Sequence, residues 1–320
     1  MCTAITFKTN NHYFGRNLDF EYDFNEQVII TPRNKTLDFK YFDNLENHHA
    51  IIGIGINASN YPLYFDATNE HGLSIAGLNF PGNAYYFDDS TGIAPFELTP
   101  WLLAQCKSIR ECMNLLKDLR IINAPFNKEY ALSPLHWLLA DKHSSIVLEP
   151  TTSGLRIYEN PVGVLTNNPP FDYHLYNLSN FMNITSQEAT NRFAPHCKIE
   201  PYSRGMGAIG LPGDNSSASR FVRATFTKLN SISDSDEHSS ITQFFHILNS
   251  VCQVDGCTQI GNDFEKTIYS SCCNTDKGIY YYTTYENCQI TAVNMYNYDI
   301  DSNALISVPL NRTLQIANAP

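Results

Sequence analysis

Cysteine stands at position 2, directly after Met1. An initiator methionine is trimmed when the next residue is small, and cysteine is small. Trimming would leave Cys2 with a thiol and a free α-amine on one residue. An unperturbed α-amine has a pKa of about 7.7–8.0 and a cysteine thiol about 8.5. Near neutral pH the amine can take the proton of its own thiol, so one residue supplies nucleophile and general base. The chemistry that suits such a residue is attack on an amide carbonyl. Arg16 and Asp19 follow closely. An arginine beside a thiol favours the thiolate, and an aspartate beside an α-amine can orient it; taken alone, the pair reads more readily as an ordinary surface ion pair. No histidine offers itself as the base: His136 and His246 fall in apolar patterns, and His48, His49 and His143 in loops and turns.

Such a nucleophile must be held by a strand, since chain ends otherwise fray. The residues after Cys2 read as one, with Ile5 and Phe7 alternating with Thr6 and Lys8. A second segment carries Gly15–Phe20. Further strands are expected at 27–31, 50–56, 61–66 and 72–80, the last two joined by the turn Asn69-Glu70-His71-Gly72. Residues 95–119 read as helices, with Ser108 and Glu111 as a capping box. Short strands at 135–140, 145–149, 155–158 and 162–165 suggest an antiparallel meander. Helices are expected near 173–181, at 216–229 and from a second capping box, Ser240 to Gln243, through 250. Strands return at 267–271, 278–284 and 289–296. This order implies antiparallel sheets layered with helices, an α+β fold in four layers and a single domain over 1–320.

Composition narrows the classes. The chain has 320 residues, 43% hydrophobic and 17% charged, which is enough apolar material for a large core. Its 21 basic and 32 acidic residues give a net charge of −11. An acidic chain without a basic block is a poor binder of nucleic acid or anionic membranes. No apolar run approaches the roughly 20 residues of a membrane span, and no leader-like apolar region precedes Asn10. Nine cysteines are scattered without C-x-x-C pairs or zinc spacing, which points to reduced thiols and a cytoplasmic protein. No metal or organic cofactor is implied.

Met1-Cys2-Thr3-Ala4, Gly15-Arg16-Asn17-Leu18-Asp19, Gly77-Leu78-Asn79-Phe80-Pro81, Gly163-Val164-Leu165-Thr166-Asn167, Gly210-Leu211-Pro212-Gly213-Asp214 and Ser219-Arg220-Phe221 stand in this order. Each is weak alone. Together they resemble the choloylglycine hydrolase family of bile salt hydrolases and penicillin V acylases, and the likeness extends to about residue 295. The resemblance implies the four-layer αββα sandwich of N-terminal nucleophile hydrolases and a catalytic set. Cys2 is then the nucleophile after loss of Met1, and Arg16 its neighbour. Asp19 holds the α-amine, Asn79 and Asn167 bind the oxyanion with backbone groups, and Arg220 is a distal arginine.

Asparagine at 79 resembles the bile-salt branch, which implies cleavage of glycine- or taurine-conjugated bile salts, a small-molecule substrate. Members of the family are commonly homotetramers, and residues 182–209 are a candidate for subunit contacts. Leu18, Phe65, Asn79 and Leu132 are the expected substrate-binding residues, with the 132–135 loop closing an apolar acyl pocket. Other readings stay open at this point: an acylase acting on penicillin V or acyl-homoserine lactones by the same mechanism, or a binding protein with an inert Cys2.

Overall fold

A computed structural model describes residues 1–319. In chain order its elements are β1 Cys2–Lys8, β2 His12–Phe20, β3 Gln27–Thr31, β4 Ile51–Ala58, β5 Tyr61–Asn69, β6 Ser74–Asn79, α1 Pro95–Gln105 and α2 Ile109–Leu116. Then come β7 Leu135–Ala140, β8 Ser145–Thr151, β9 Gly154–Glu159, β10 Val164–Leu165, α3 Phe171–Asn177, α4 Ser217–Asn230 and α5 Glu237–Asn249. The chain continues with β11 Gln259–Ile260, β12 Asp263–Phe264, β13 Lys266–Asn274, β14 Ile279–Thr284, β15 Thr291–Asn294 and β16 Ile306–Pro309.

Two antiparallel sheets dominate. One has six strands in the order β10-β1-β2-β13-β14-β15, the other eight in the order β16-β3-β4-β5-β6-β7-β8-β9. They face each other, and their period-2 patterns sort side chains into two cores. Ile52, Ile54, Ala76, Leu78 and Leu138 join Ala4, Phe14 and Tyr269 between the sheets. Their strand neighbours Ile51, Ile75, Trp137 and Leu139 point the other way, under α1 and α2. Helices α4 and α5 cover the outer face of the six-stranded sheet. The result is the four-layer αββα sandwich expected. It also explains why residues 50–56 read as a continuous apolar run: β4 is covered on both faces.

The helix starts are set by local chemistry. Ser108 caps α2 and Ser216 caps α4, each hydroxyl accepting a backbone N–H three residues on. The second capping box is displaced. Asp236 is the cap of α5, accepting from Ser239 N–H at 3.0 Å. Ser240 lies inside the helix and donates its hydroxyl to the Asp236 carbonyl at 2.7 Å. A carboxylate at the cap suits the positive end of the helix dipole better than a hydroxyl one turn later.

β1 is an inner strand, with β2 on one side and β10 on the other. Its register sets Cys2 opposite Leu18 and Ala4 opposite Arg16. Gly15 on β2 lets the chain pass β13 closely: a Cβ there would sit 2.0 Å from the Ser271 carbonyl oxygen. The start of the chain is therefore part of the sheet, with Cys2 paired to β2 and β10 joining from Ala4 on.

Candidate active site

Cys2 is buried between two unlike surroundings. On one side its main-chain N–H donates to Asn167 Oδ1 at 2.8 Å, and its carbonyl accepts from Arg220 Nη1. Arg220 comes from α4 and is wholly buried. Its Nη2 donates to the same Asn167 oxygen at 2.8 Å, its Nη1 to Thr3 Oγ1 at 2.7 Å and its Nε to the Asn215 carbonyl at 3.0 Å. Asn167 lies just beyond β10, and its Nδ2 donates to the Asn79 carbonyl at 2.7 Å. With donors at one end and an acceptor at the other, the amide has only one orientation. His136 and His174 hold this corner from behind, each with Nε2 2.9 Å from a carbonyl, of Thr166 and of Asn167 respectively. Burial lowers the His174 pKa to about 4, so it holds as the neutral ring.

Asp19 is fully buried on β2. Its Oδ1 accepts from Thr267 Oγ1 at 2.6 Å, and Oδ2, 4.0 Å from Arg220 Nη1, accepts no hydrogen bond. Burial raises the Asp19 pKa, against the pull of Arg220, the N-terminal ammonium and the Thr267 hydroxyl. Burial also lowers that of Arg220, outweighing Asp19, Cys2 and Glu265. The Met1 ammonium donates to the Asp19 carbonyl at 2.9 Å and forms an ion pair with buried Glu265.

Arg16 lines the other side, together with Cys2. Its Nη1 donates to the Phe65 carbonyl at 2.9 Å and to that of Gly77, which ties β2 to β5 and β6 across the sheets. Burial alone would lower the Arg16 pKa; the neighbouring acidic groups of Cys2, Tyr269, Asp66 and Asp19 outweigh it and raise it. Its Nη2 has no partner among the described residues. Asp66, close behind, accepts from Tyr269 at 2.6 Å, Ser271 at 3.1 Å and Tyr280.

In front of Cys2 opens a cavity of about 470 Å³, within the usual range for small-molecule sites. Leu18, Phe65, Asn79 and Leu132 all line it, and so do Ser133 and Leu135 of the 132–135 segment. Asp19, Asn167 and Arg220 do not; they stand behind Cys2. Among the described residues the Asn79 side chain has no hydrogen-bond partner, and it reaches the cavity partly buried.

The sequence reading overlooked most of the aromatic wall: Phe20, Tyr22, Phe24, Phe96, Phe126 and Tyr130. Phe20, Tyr22 and Phe24 cluster with ring centroids 4.8–5.0 Å apart. Their i, i+2 spacing was the available signal. It also overlooked Thr267 and Glu265, which no local pattern marks.

A buried cysteine at the start of an inner strand, in an αββα sandwich, is the arrangement of an N-terminal nucleophile hydrolase. The family model for linear amide C–N hydrolases of the choloylglycine hydrolase family matches residues 2–308, and the chain belongs to that family. It is 54% identical to a bile salt hydrolase/transferase of Lactiplantibacillus plantarum, over 98% of each chain. Its structure superposes on a conjugated bile acid hydrolase from Clostridium perfringens with a TM-score of 0.92 at 36% identity, covering 100% of both chains. A penicillin V acylase from Agrobacterium tumefaciens shares the fold, with a TM-score of 0.79 at 18% identity over 97% of this chain and 92% of that one.

Proposed function

We propose that the chain, working as one domain, hydrolyses the glycine or taurine amide of conjugated bile salts, with Cys2 as nucleophile once Met1 is removed. The observation that carries this reading is the position of Cys2. It borders an apolar cavity on one side and a buried, charge-paired polar group on the other. The apolar wall suits the steroid acyl part, while Arg16 and Asn79 supply polar groups beside the thiol.

The thiolate attacks the amide carbon, forming the S–C bond and placing charge on the carbonyl oxygen. Asn79 donates to that oxygen; one such donor is worth roughly 2.7–4 kcal/mol of barrier. Asn167 keeps one Nδ2 hydrogen free of the Asn79 carbonyl, and its Oδ1 fixes the nitrogen of Cys2. The unpartnered Oδ2 of Asp19 is an acceptor for the α-ammonium that trimming creates. That ammonium gives its proton to the leaving amine as the C–N bond breaks. Water, deprotonated by the α-amine, then cleaves the thioester. The Nη2 of Arg16 is the guanidinium nitrogen free to face the thiolate.

The same reading includes assembly and location. Met182, Phe193, Ile199 and Tyr202 are exposed on the largely irregular 182–209 segment, which suits burial against other copies in a homotetramer. All nine cysteines are free thiols, which suits the reducing cytoplasm. No helix among the described residues is long and apolar enough to cross a membrane.

The test is the mass of the purified protein, followed by product analysis with glycocholate, taurocholate and penicillin V in parallel. A mass lacking methionine and release of free cholate, abolished in Cys2→Ala, are the expected results. Retained Met1 in an active enzyme sinks the mechanism. Cleavage of penicillin V alone moves the chain to the acylase branch. Sedimentation at the mass of a single chain removes the tetramer.

A further inference from the structure

The active site uses one end of β6, at Asn79. At the other end β5 turns into β6 through Asn69-Glu70-His71-Gly72, with Gly72 left-handed at φ 84°. The register of β4 on β5 pairs Ile51 with Asn69. Two residues beyond that pair His49 meets His71. Nδ1 of His49 and Nε2 of His71 are 3.2 Å apart, with the rings edge-on. The Glu70 carboxylate completes the cluster: one ligand atom from each residue lies within 4.8 Å of the other two.

The backbone beneath is pinned. His49 N–H donates to the Ala104 carbonyl at 3.0 Å, at the end of α1. The Asn69 side chain donates to the Leu103 and Cys106 carbonyls and accepts from the His71 and Leu73 N–H groups, all at 2.7–3.1 Å. Glu70 Oε1 accepts from Ala50 N–H at 2.9 Å and from Arg33 Nε at 3.0 Å. Its Oε2 accepts from Arg33 Nη2 and, at 3.2 Å, from Arg33 Nε, so a cation entering here shares the carboxylate with that guanidinium.

A contact between two ring nitrogens at this distance needs one ring to accept, so the pair is not doubly charged. Two nitrogens bound tetrahedrally to zinc at about 2.0–2.1 Å stand about 3.3 Å apart. The two rings already hold that separation. A cation can enter if the donor ring moves its proton to its other nitrogen, with no net change in charge on the rings.

We propose that His49, Glu70 and His71 form a binding site for a divalent transition cation of the zinc class, with water as the remaining ligand. Two imidazoles and one carboxylate suit zinc, nickel or copper; calcium and magnesium prefer all-oxygen sites. The site staples the approach to β4 to the β5–β6 turn, at the end of β6 away from the catalytic cavity. Its occupancy therefore acts on stability, through preferential binding to the folded chain.

The test is titration of the full-length protein with Zn²⁺, and with Mg²⁺ as a control, followed by calorimetry and thermal melting. One zinc per chain at micromolar affinity is expected, with a raised melting temperature and no response to Mg²⁺. Both His49→Ala and His71→Ala should weaken that site at least tenfold while leaving bile salt turnover unchanged. Zinc binding undiminished in the double variant assigns the metal to the thiols and overturns the proposal. Anomalous diffraction from zinc-soaked crystals of the unaltered protein covers the case in which the variants misfold. A peak bonded to both rings upholds the site, and a peak only at cysteines removes it.

Discussion

The two sides of Cys2 are built in opposite ways. Behind it, Asp19, Asn167, Arg220 and Thr267 sit on or beside β2, β10, α4 and β13, all buried, each tied to at least one named partner. In front, much of the wall comes from irregular chain, residues 21–26 and 124–134, and it is mostly aromatic or aliphatic. A polar group in the first region cannot be removed without stranding its partner in the interior, where an unpaired charge or donor is costly. A side chain in the second can be trimmed at the cost of contact area alone. On the proposed function, chemistry would rest on an over-determined network and recognition on separable surfaces.

The sharpest test of that contrast is Cys2→Ala. It should lower kcat by about 10⁴-fold or more while leaving bile salt affinity nearly unchanged, read by single-turnover kinetics and equilibrium binding. Arg220→Met comes next. It removes the donor shared by Cys2, Thr3 and Asn167 and the buried cation 4.0 Å from Asp19, so urea denaturation should show a loss of about 3–5 kcal/mol. A loss below 1 kcal/mol would mean the polar side is no more interdependent than the apolar one.

Asn79→Ala should cost roughly 10²–10³-fold in kcat with little change in KM, since its side chain holds nothing else in the protein. Phe65→Ala and Leu132→Ala should do the reverse: KM up by about tenfold, kcat within a few-fold, from about 1.5 kcal/mol of lost apolar contact. If either cavity variant lowers kcat as Asn79→Ala does, the division fails.

The smallest effect is in pH. Burial raises the Asp19 pKa, so the folded chain holds that proton more tightly than the unfolded chain. Its contribution to stability is therefore most favourable below the ordinary aspartate value, near 3.9, and declines as pH rises through the folded value. The acid limb of kcat/KM should lie above that ordinary value, and Asp19→Asn should flatten it.

Much of the framework was legible in residue patterns. The alternation in 2–8, the 61–80 hairpin and the 135–140 strand are local signals, and local geometry obeyed them. What escaped was set by tertiary pairing. β11 and β12 are two exposed residues each, and β16 is an edge strand against β3, so none carries a strong period. The α5 cap was misplaced because Ser240 resembles a cap until Asp236 competes for the role. In the site, the ordered motifs named Cys2, Arg16, Asp19, Asn79, Asn167 and Arg220. They did not name Thr267 or Glu265, a lone hydroxyl and a lone charge that acquire meaning only where β13 meets β2. His49 and His71 were read as loop and turn residues, since the register that joins them is a property of the sheet.

Met1 makes a last point, about timing. Its ammonium is paired with Glu265, its carbonyl accepts from Asp19 N–H at 3.0 Å, and its side chain is only 24% exposed. An aminopeptidase must draw the terminus into its own cleft, and here that means peeling back an inner strand. On the proposed mechanism, methionine excision would have to act on the nascent chain, before the six-stranded sheet closes. On that mechanism a copy that folds first would keep its amine capped and stay inactive. Protein refolded with Met1 attached should keep its full mass when incubated with methionine aminopeptidase, and lose the mass of one methionine residue only after unfolding.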